Sequence, residues 1–137
     1  MTVKLEQGRF TTIWRKKKAS TAFVQFSLVT LTSGFVTPAS TDAGAADSPV
    51  LGCYEGPAIA SGSTTTAKIP IIVPIGPTLF RMTCTIASTD EGKGLDMTDS
   101  VTVHASNNTY SPVTLVKYLS ATEGLFSLAK TVYSTVA

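Results

Sequence analysis

Charge is scarce in this sequence. Asp, Glu, Lys and Arg make up 15% of its 137 residues, against roughly 25% in an average soluble domain. Threonine and serine take their place, at about a quarter of the chain, so disorder driven by self-repulsion is not expected. A hydroxyl costs far less to strip of water than an ammonium or a carboxylate. Such a surface suits burial against a neighbour in an assembly.

Groups that do chemistry are equally thin. His104 is the only histidine, which excludes a His-based metal pair. A Ser/His/Asp arrangement needs just one, and Asp99 is near, but no Gly-x-Ser-x-Gly turn is present. His104 therefore reads as a strand-end residue rather than a general base. The acidic residues Asp90, Glu91, Asp96 and Asp99 cluster without the alternating spacing of a calcium loop. They read as turn formers and caps. Gly92-Lys93-Gly94 does not match a phosphate-cradling loop. No cofactor, no metal and no enzymatic activity are expected.

Long apolar runs are missing too. Ile69 to Ile75 is interrupted by Pro70 and Pro74 and falls far short of the roughly 20 residues that cross a bilayer. The N-terminus has Glu6, Gln7 and Arg9 where a secretory signal would be apolar. The expectation is a protein made in a reducing, cytosol-like compartment, with no membrane partner. Cys53 and Cys84 then read as small buried hydrophobes, a disulfide between adjacent strands being the alternative.

What is present is β-forming sequence cut by Gly, Pro, Ser and Asn. Phe23–Leu31, Val50–Tyr54, Lys68–Val73, Leu79–Ile86, Val113–Leu119 and Phe126–Val136 are rich in Val, Ile, Thr, Phe and Tyr, which suit a pleated, half-buried surface. Leu79–Ile86 alternates cleanly, with Phe80, Met82, Cys84 and Ile86 on one side. Gly52 marks a bulge or a close backbone approach. The prolines of Ile69–Pro74 place that strand at a sheet edge or barrel rim. Asp96–Ser100 reads as one helical turn and Val101–Val103 as a short strand. The small, polar run from 37 to 49 is a long loop, suited to binding or motion. The expected fold is all-β, a small barrel or sandwich of short antiparallel strands over residues 21–137.

Residues 1–20 read as an extended basic N-terminal arm. Arg15, Lys16, Lys17 and Lys18 form a run, with Lys4 and Arg9 upstream; without the first 18 residues the balance turns slightly acidic. Basic arms bind nucleic acid or acidic protein surfaces. Within the arm, Phe10–Trp14 makes an edge strand or an anchor for a partner's groove; the commoner alternative for a lone Trp is that it covers its own domain's core. The candidate partner-binding residues are Phe10, Trp14, Arg15, Lys16, Lys17 and Lys18, together with the loop 37 to 49. Deleting residues 2–18 is expected to remove binding and leave the body folded. Phe23, Phe26, Phe80 and Phe126 fall on apolar faces and read as core, so the body offers no stacking platform for bases.

The run Leu31-Thr32-Ser33-Gly34-Phe35-Val36-Thr37-Pro38-Ala39, followed by a loop and Pro49-Val50-Leu51-Gly52, resembles the strand-turn-strand opening of the capsid decoration (cement, or auxiliary head) proteins of tailed bacteriophages. Ile71-Ile72-Val73-Pro74 leading to Phe80, then Gly94-Leu95-Asp96-Met97 leading to Val101-Thr102-Val103, is similar in layout to β-barrel members of that group. The resemblance implies a virion protein, made in the host cytoplasm and often trimeric. Such a protein sits on the major capsid protein and reinforces the shell. It implies no catalytic residues. Two other functions compete: a single-stranded nucleic-acid-binding barrel, and a tail or head–tail connector component.

Overall fold

The computed structural model describes residues 2–62 and 64–132. Its strands are β1 (Val3–Lys16), β2 (Ser27–Thr32), β3 (Phe35–Pro38), β4 (Val50–Tyr54), β5 (Lys68–Thr83), β6 (Gly94–Leu95), β7 (Val113–Ser120) and β8 (Glu123–Leu128). They form one antiparallel sheet in the order β3-β2-β4-β5-β8-β7-β6, with β1 also paired to β5. The sheet curls into a half-barrel. The all-β class expected from the sequence is the one observed.

β5 organises everything else. The sequence suggests two strands here, split by Pro74-Ile75-Gly76-Pro77; the chain instead runs as one strand of 16 residues. β1 pairs along its whole length, from Val3 opposite Met82 to Lys16 opposite Lys68. Its other edge meets β4 at Cys53–Ile72 and β8 from Phe80 to Thr83. The proline-bearing stretch is therefore central, which corrects its expected place at an edge. Ladder phase explains the tolerance. Lys17 N–H donates to Ala67 O at 3.1 Å, so in this half Ile69, Ile71 and Val73 bond to β1 while residues 70, 72 and 74 point their amide positions toward β4. There the pairing is the single bridge at Ile72, and a missing proline donor on either side of it breaks no further rung.

The two faces of β5 serve different cores. In its first half Ile69, Ile71 and Val73 pack with Phe23, Val29, Val36, Leu51 and Tyr54. In its second half the opposite face turns inward, and Phe80 and Met82 join Val3, Leu28, Cys53, Leu115 and Phe126. Phe23, Phe80 and Phe126 are buried, as the sequence suggests. Phe26 is not fully buried: its φ of 58° turns the chain, which delays β2 to Ser27, and Lys4 Nζ lies 4.5 Å from its ring centre.

Where the strand changes the face it buries, β1 must follow. Register shifts fall between Leu5 and Gln7 and between Gly8 and Phe10. Gly8 takes φ 114°, and a Cβ there would sit 2.4 Å from Pro77 O. Thr78 Oγ1 donates to Arg9 O at 2.7 Å and closes the irregular step.

Other expectations differ locally. Thr37 and Pro38, inside the expected loop, belong with Phe35 and Val36 to β3, which pairs with β2. Val101–Val103 contributes isolated bridges, Thr83–Thr102 and Met97–Val103. Asp96–Ser100 is not helical; among the described residues the helical turn is Ser88–Asp90. β8 ends at Leu128, and residues 133–136 of the expected last strand lie outside the described residues.

Gly52 makes the close approach its sequence context implies. A Cβ would lie 2.1 Å from Ile72 O, a backbone atom that cannot move without disturbing the bridge. Gly52→Ala should cost about 3 kcal/mol, at the upper end of ordinary overpacking. Gly62→Ala, with nothing within 4 Å, should stay within about 0.5 kcal/mol of the parent. Urea denaturation of both variants measures the difference.

Candidate partner-binding surface

The residues expected as an arm form β1. Val3 is fully buried and Cys53 Sγ donates to its carbonyl at 3.0 Å, so the N-terminal end of this strand is part of the core. Beyond the bulge the strand is mostly exposed. Ile13 faces the second cluster, and the alternate residues face outward. Phe10 lies opposite Pro74, Thr12 opposite Ile72, Trp14 opposite Pro70 and Lys16 opposite Lys68. Directly opposed residues share a face. A stripe of Phe10 (46% exposed) and Trp14 (60% exposed) thus lies beside Pro74, Ile72 and Pro70. These are the closer, non-hydrogen-bonded pairs of the ladder.

The basic run is divided by the same alternation. Lys17 is 3% exposed and its ammonium donates to Thr65 O at 2.7 Å; its charge is held against the chain at Thr65 and is not offered to solvent. Arg15, Lys16 and Lys18 are exposed. Trp14, Arg15, Lys16, Gly34 and Lys68 line a hollow of about 290 Å³. Lys18, Thr32, Ser33, Phe35 and Thr37 line a second, largely apolar one of about 350 Å³. Five of the six residues singled out from the sequence are thus solvent-facing, Phe10, Trp14, Arg15 and Lys16 on β1 and Lys18 just past its end. Lys68, Gly34 and Phe35 join them through register and the β2–β3 turn, which no local pattern reveals. The loop from 39 to 49 is partly committed elsewhere: Ala39, Ala43 and Ser48 are buried, and Ala43, Gly44, Ala45 and Ser48 bond back within it.

The acidic residues do local structural work. Asp96 is buried, and its carboxylate accepts N–H groups of Thr109, Tyr110 and Ser111 at 3.0, 2.8 and 2.8 Å. Glu91 accepts from Tyr118 N at 2.7 Å and Asp99 from Val101 N at 2.9 Å. Asp90 accepts from Ala87 N and pairs with Lys93, both at 2.9 Å, which lowers its pKa. His104 Nδ1 accepts from Ser106 and Asn107 N–H at 3.1 and 3.0 Å, while Asp99 accepts from Val101 N–H. Among the described residues, no three His, Cys, Asp or Glu side chains are grouped to hold a metal. No helix of the described chain is long and apolar enough to cross a membrane.

Compared with protein-family models, with curated proteins and with solved structures, the chain finds no match.

Both thiols are free and buried. Burial raises Cys53 well above its ordinary value, and raises Cys84 to about 11, with Asp90 and Glu123 adding to the shift. At pH 8 the Cys84 thiolate fraction should fall on the order of 100-fold below that of an unhindered thiol. Alkylation by iodoacetamide should therefore be slow in the native protein and rapid for both cysteines in denaturant. Fast native labelling of either would contradict this burial.

Proposed function

We propose that this chain is a structural virion protein that binds an assembled capsid lattice and reinforces it, through the outer face of β1. The observation that carries the reading is the exposure of Phe10 and Trp14 on a rigid strand flanked by Arg15, Lys16, Lys18 and Lys68. Large aromatics on a soluble surface are costly unless a partner covers them, and aromatic residues dominate binding energy where one does. The similarity of residues 31–39 and 49–52 to decoration proteins supplies the partner class, the major capsid protein. A lattice presents each site many times, so weak contacts summed over a homo-oligomer suffice.

A single-stranded nucleic acid is the second reading, and one observation favours it. Phe10, Trp14, Lys16 and Lys68 share a sheet face, the combination of stacking rings and cations that such binding uses. That reading requires affinity for oligonucleotides to fall steeply with salt.

Deleting residues 2–18 is not a clean test, since it removes Val3 from the core and Lys17 from its buried site. Point variants are. In co-sedimentation with capsid shells of the virus that carries the chain, the wild type should pellet with shells and not with unassembled capsid protein. Phe10→Ala combined with Trp14→Ala should weaken pelleting by at least about 30-fold, the size of a hot-spot loss, with the melting temperature nearly unchanged. Absence of shell binding by the wild type rejects the reading.

A further inference from the structure

The outward edge of β1 is unpaired between Gln7 and Trp14, and its ends show how it is built to be used. Lys17 N–H bonding to Ala67 O fixes the phase, so Phe10, Thr12 and Trp14 direct their N–H and C=O groups away from β5. At one end of β1 the equivalent outward donors are satisfied: Val3 N–H by Phe26 O at 2.7 Å and Leu5 N–H by Glu55 Oε1 at 3.0 Å. At the other end Lys18 N–H, in the same phase, donates to Val36 O at 3.0 Å in a parallel bridge with β3. Among the described residues nothing pairs with the middle. Long edges are normally guarded by proline, inward charge or shortness; here the bulge at Gly8 guards one end, and no proline follows it in β1.

We propose that this edge receives an extended acidic segment of a partner protein as an added strand. The inference rests on the lattice-binding reading for the partner's owner and specifies how that surface is occupied. Three features choose the occupant. Unsatisfied main-chain groups at alternate residues call for a polypeptide, whose own N–H and C=O complete a ladder; a nucleic acid offers no such repeat. Lys16 and Lys68, which line the Trp14 hollow, call for carboxylates: no acidic side chain among the described residues pairs with either, and Glu6 is held by Arg81 at 3.5 Å. A second copy of this chain is disfavoured by charge, because the antiparallel register that sets Phe10 against Trp14 also sets Arg9 against Arg15, and like charges directly opposite repel. Phe10 and Trp14, on either side of Thr12, then pack against apolar residues of the incoming strand.

The test uses the full chain and an end-blocked synthetic peptide of about ten residues in which threonine alternates with valine at the centre and with glutamate at both ends, so that one face meets Phe10 and Trp14 with valine and Lys16 with glutamate, a length that spans the free edge. Amide exchange followed by NMR should show Phe10, Thr12 and Trp14 slowed at least ten-fold by the peptide. Thr11 and Ile13, already bonded to β5, should change little. Thr12→Pro removes one outward donor without touching the β5 ladder and should weaken peptide binding at least ten-fold. Thr12→Val, which keeps the donor, should bind as the wild type does. Should Thr12→Pro not fold, methylating alternate peptide amides replaces it: one phase of methylation abolishes binding and the other does not. Equal binding by the two Thr12 variants, equal effects of both methylation phases, or no selective slowing overturns the proposal. So does an oligothymidylate of equal length that covers Trp14 in preference to the peptide. Failure of the lattice reading shows separately, as wild-type protein that does not pellet with shells.

Discussion

One strand has to serve two cores, and most of the molecule follows from that. Ile69, Ile71 and Val73 put one face of β5 into the cluster around Phe23 and Leu51, while Phe80 and Met82 put the other into the cluster around Phe126 and Leu115. A pleated strand can do this without twisting over, because alternate side chains already point to opposite sides. The neighbours must adapt instead. β1 inserts its bulges at Leu5–Gln7 and Gly8–Phe10, and β4 carries a register shift near Gly52 that sends Val50 and Cys53 to one cluster and Leu51 and Tyr54 to the other.

The candidate interface is a by-product of the same arrangement. In the half of β5 where residues 69, 71 and 73 are buried, residues 70, 72 and 74 take the other face, half-buried, and carry Pro, Ile and Pro, with Ile72 packed against the cluster around Phe80. With the exposed Phe10 and Trp14 opposite Pro74 and Pro70, the apolar stripe carries that face outward from the half-buried Ile72. Acidic side chains do not neutralise the cations beside it, since Asp90 and Asp99 accept from backbone donors two or three residues away, and Asp96 and Glu91 from backbone donors of residues 109–111 and of Tyr118. The candidate surface is cationic because these carboxylates hold backbone N–H groups elsewhere.

The fold class was legible because Val, Ile and Thr at period two leave little choice of secondary structure, and Val50–Tyr54 and Val113–Ser120 lie where local composition puts them. The length of β5 was not legible. Pro74, Gly76 and Pro77 argue locally for a break, and only the pairing partner, with its Gly8 bulge, carries the strand through. Trp14 and Phe10 stood out by type and position, but Lys68 joins them by register alone, and Lys17 leaves the exposed set because alternation turns it toward Thr65. Asp96 as the organiser of residues 109–111 has no sequence signal, its three bonds spanning 13 to 15 positions.

The antiparallel pairing of β1 with β5 has a mechanical side. Twelve register pairs bind the two strands from end to end, so a tug on the body along the β1 axis slides the strands past one another rather than peeling them apart. In sliding, all the rungs resist together, whereas in peeling each gives way alone. A clip fastened to a pressurised wall by this strand would therefore hold best along that axis, and the direction of pull, more than the number of contacts, would decide when it lets go.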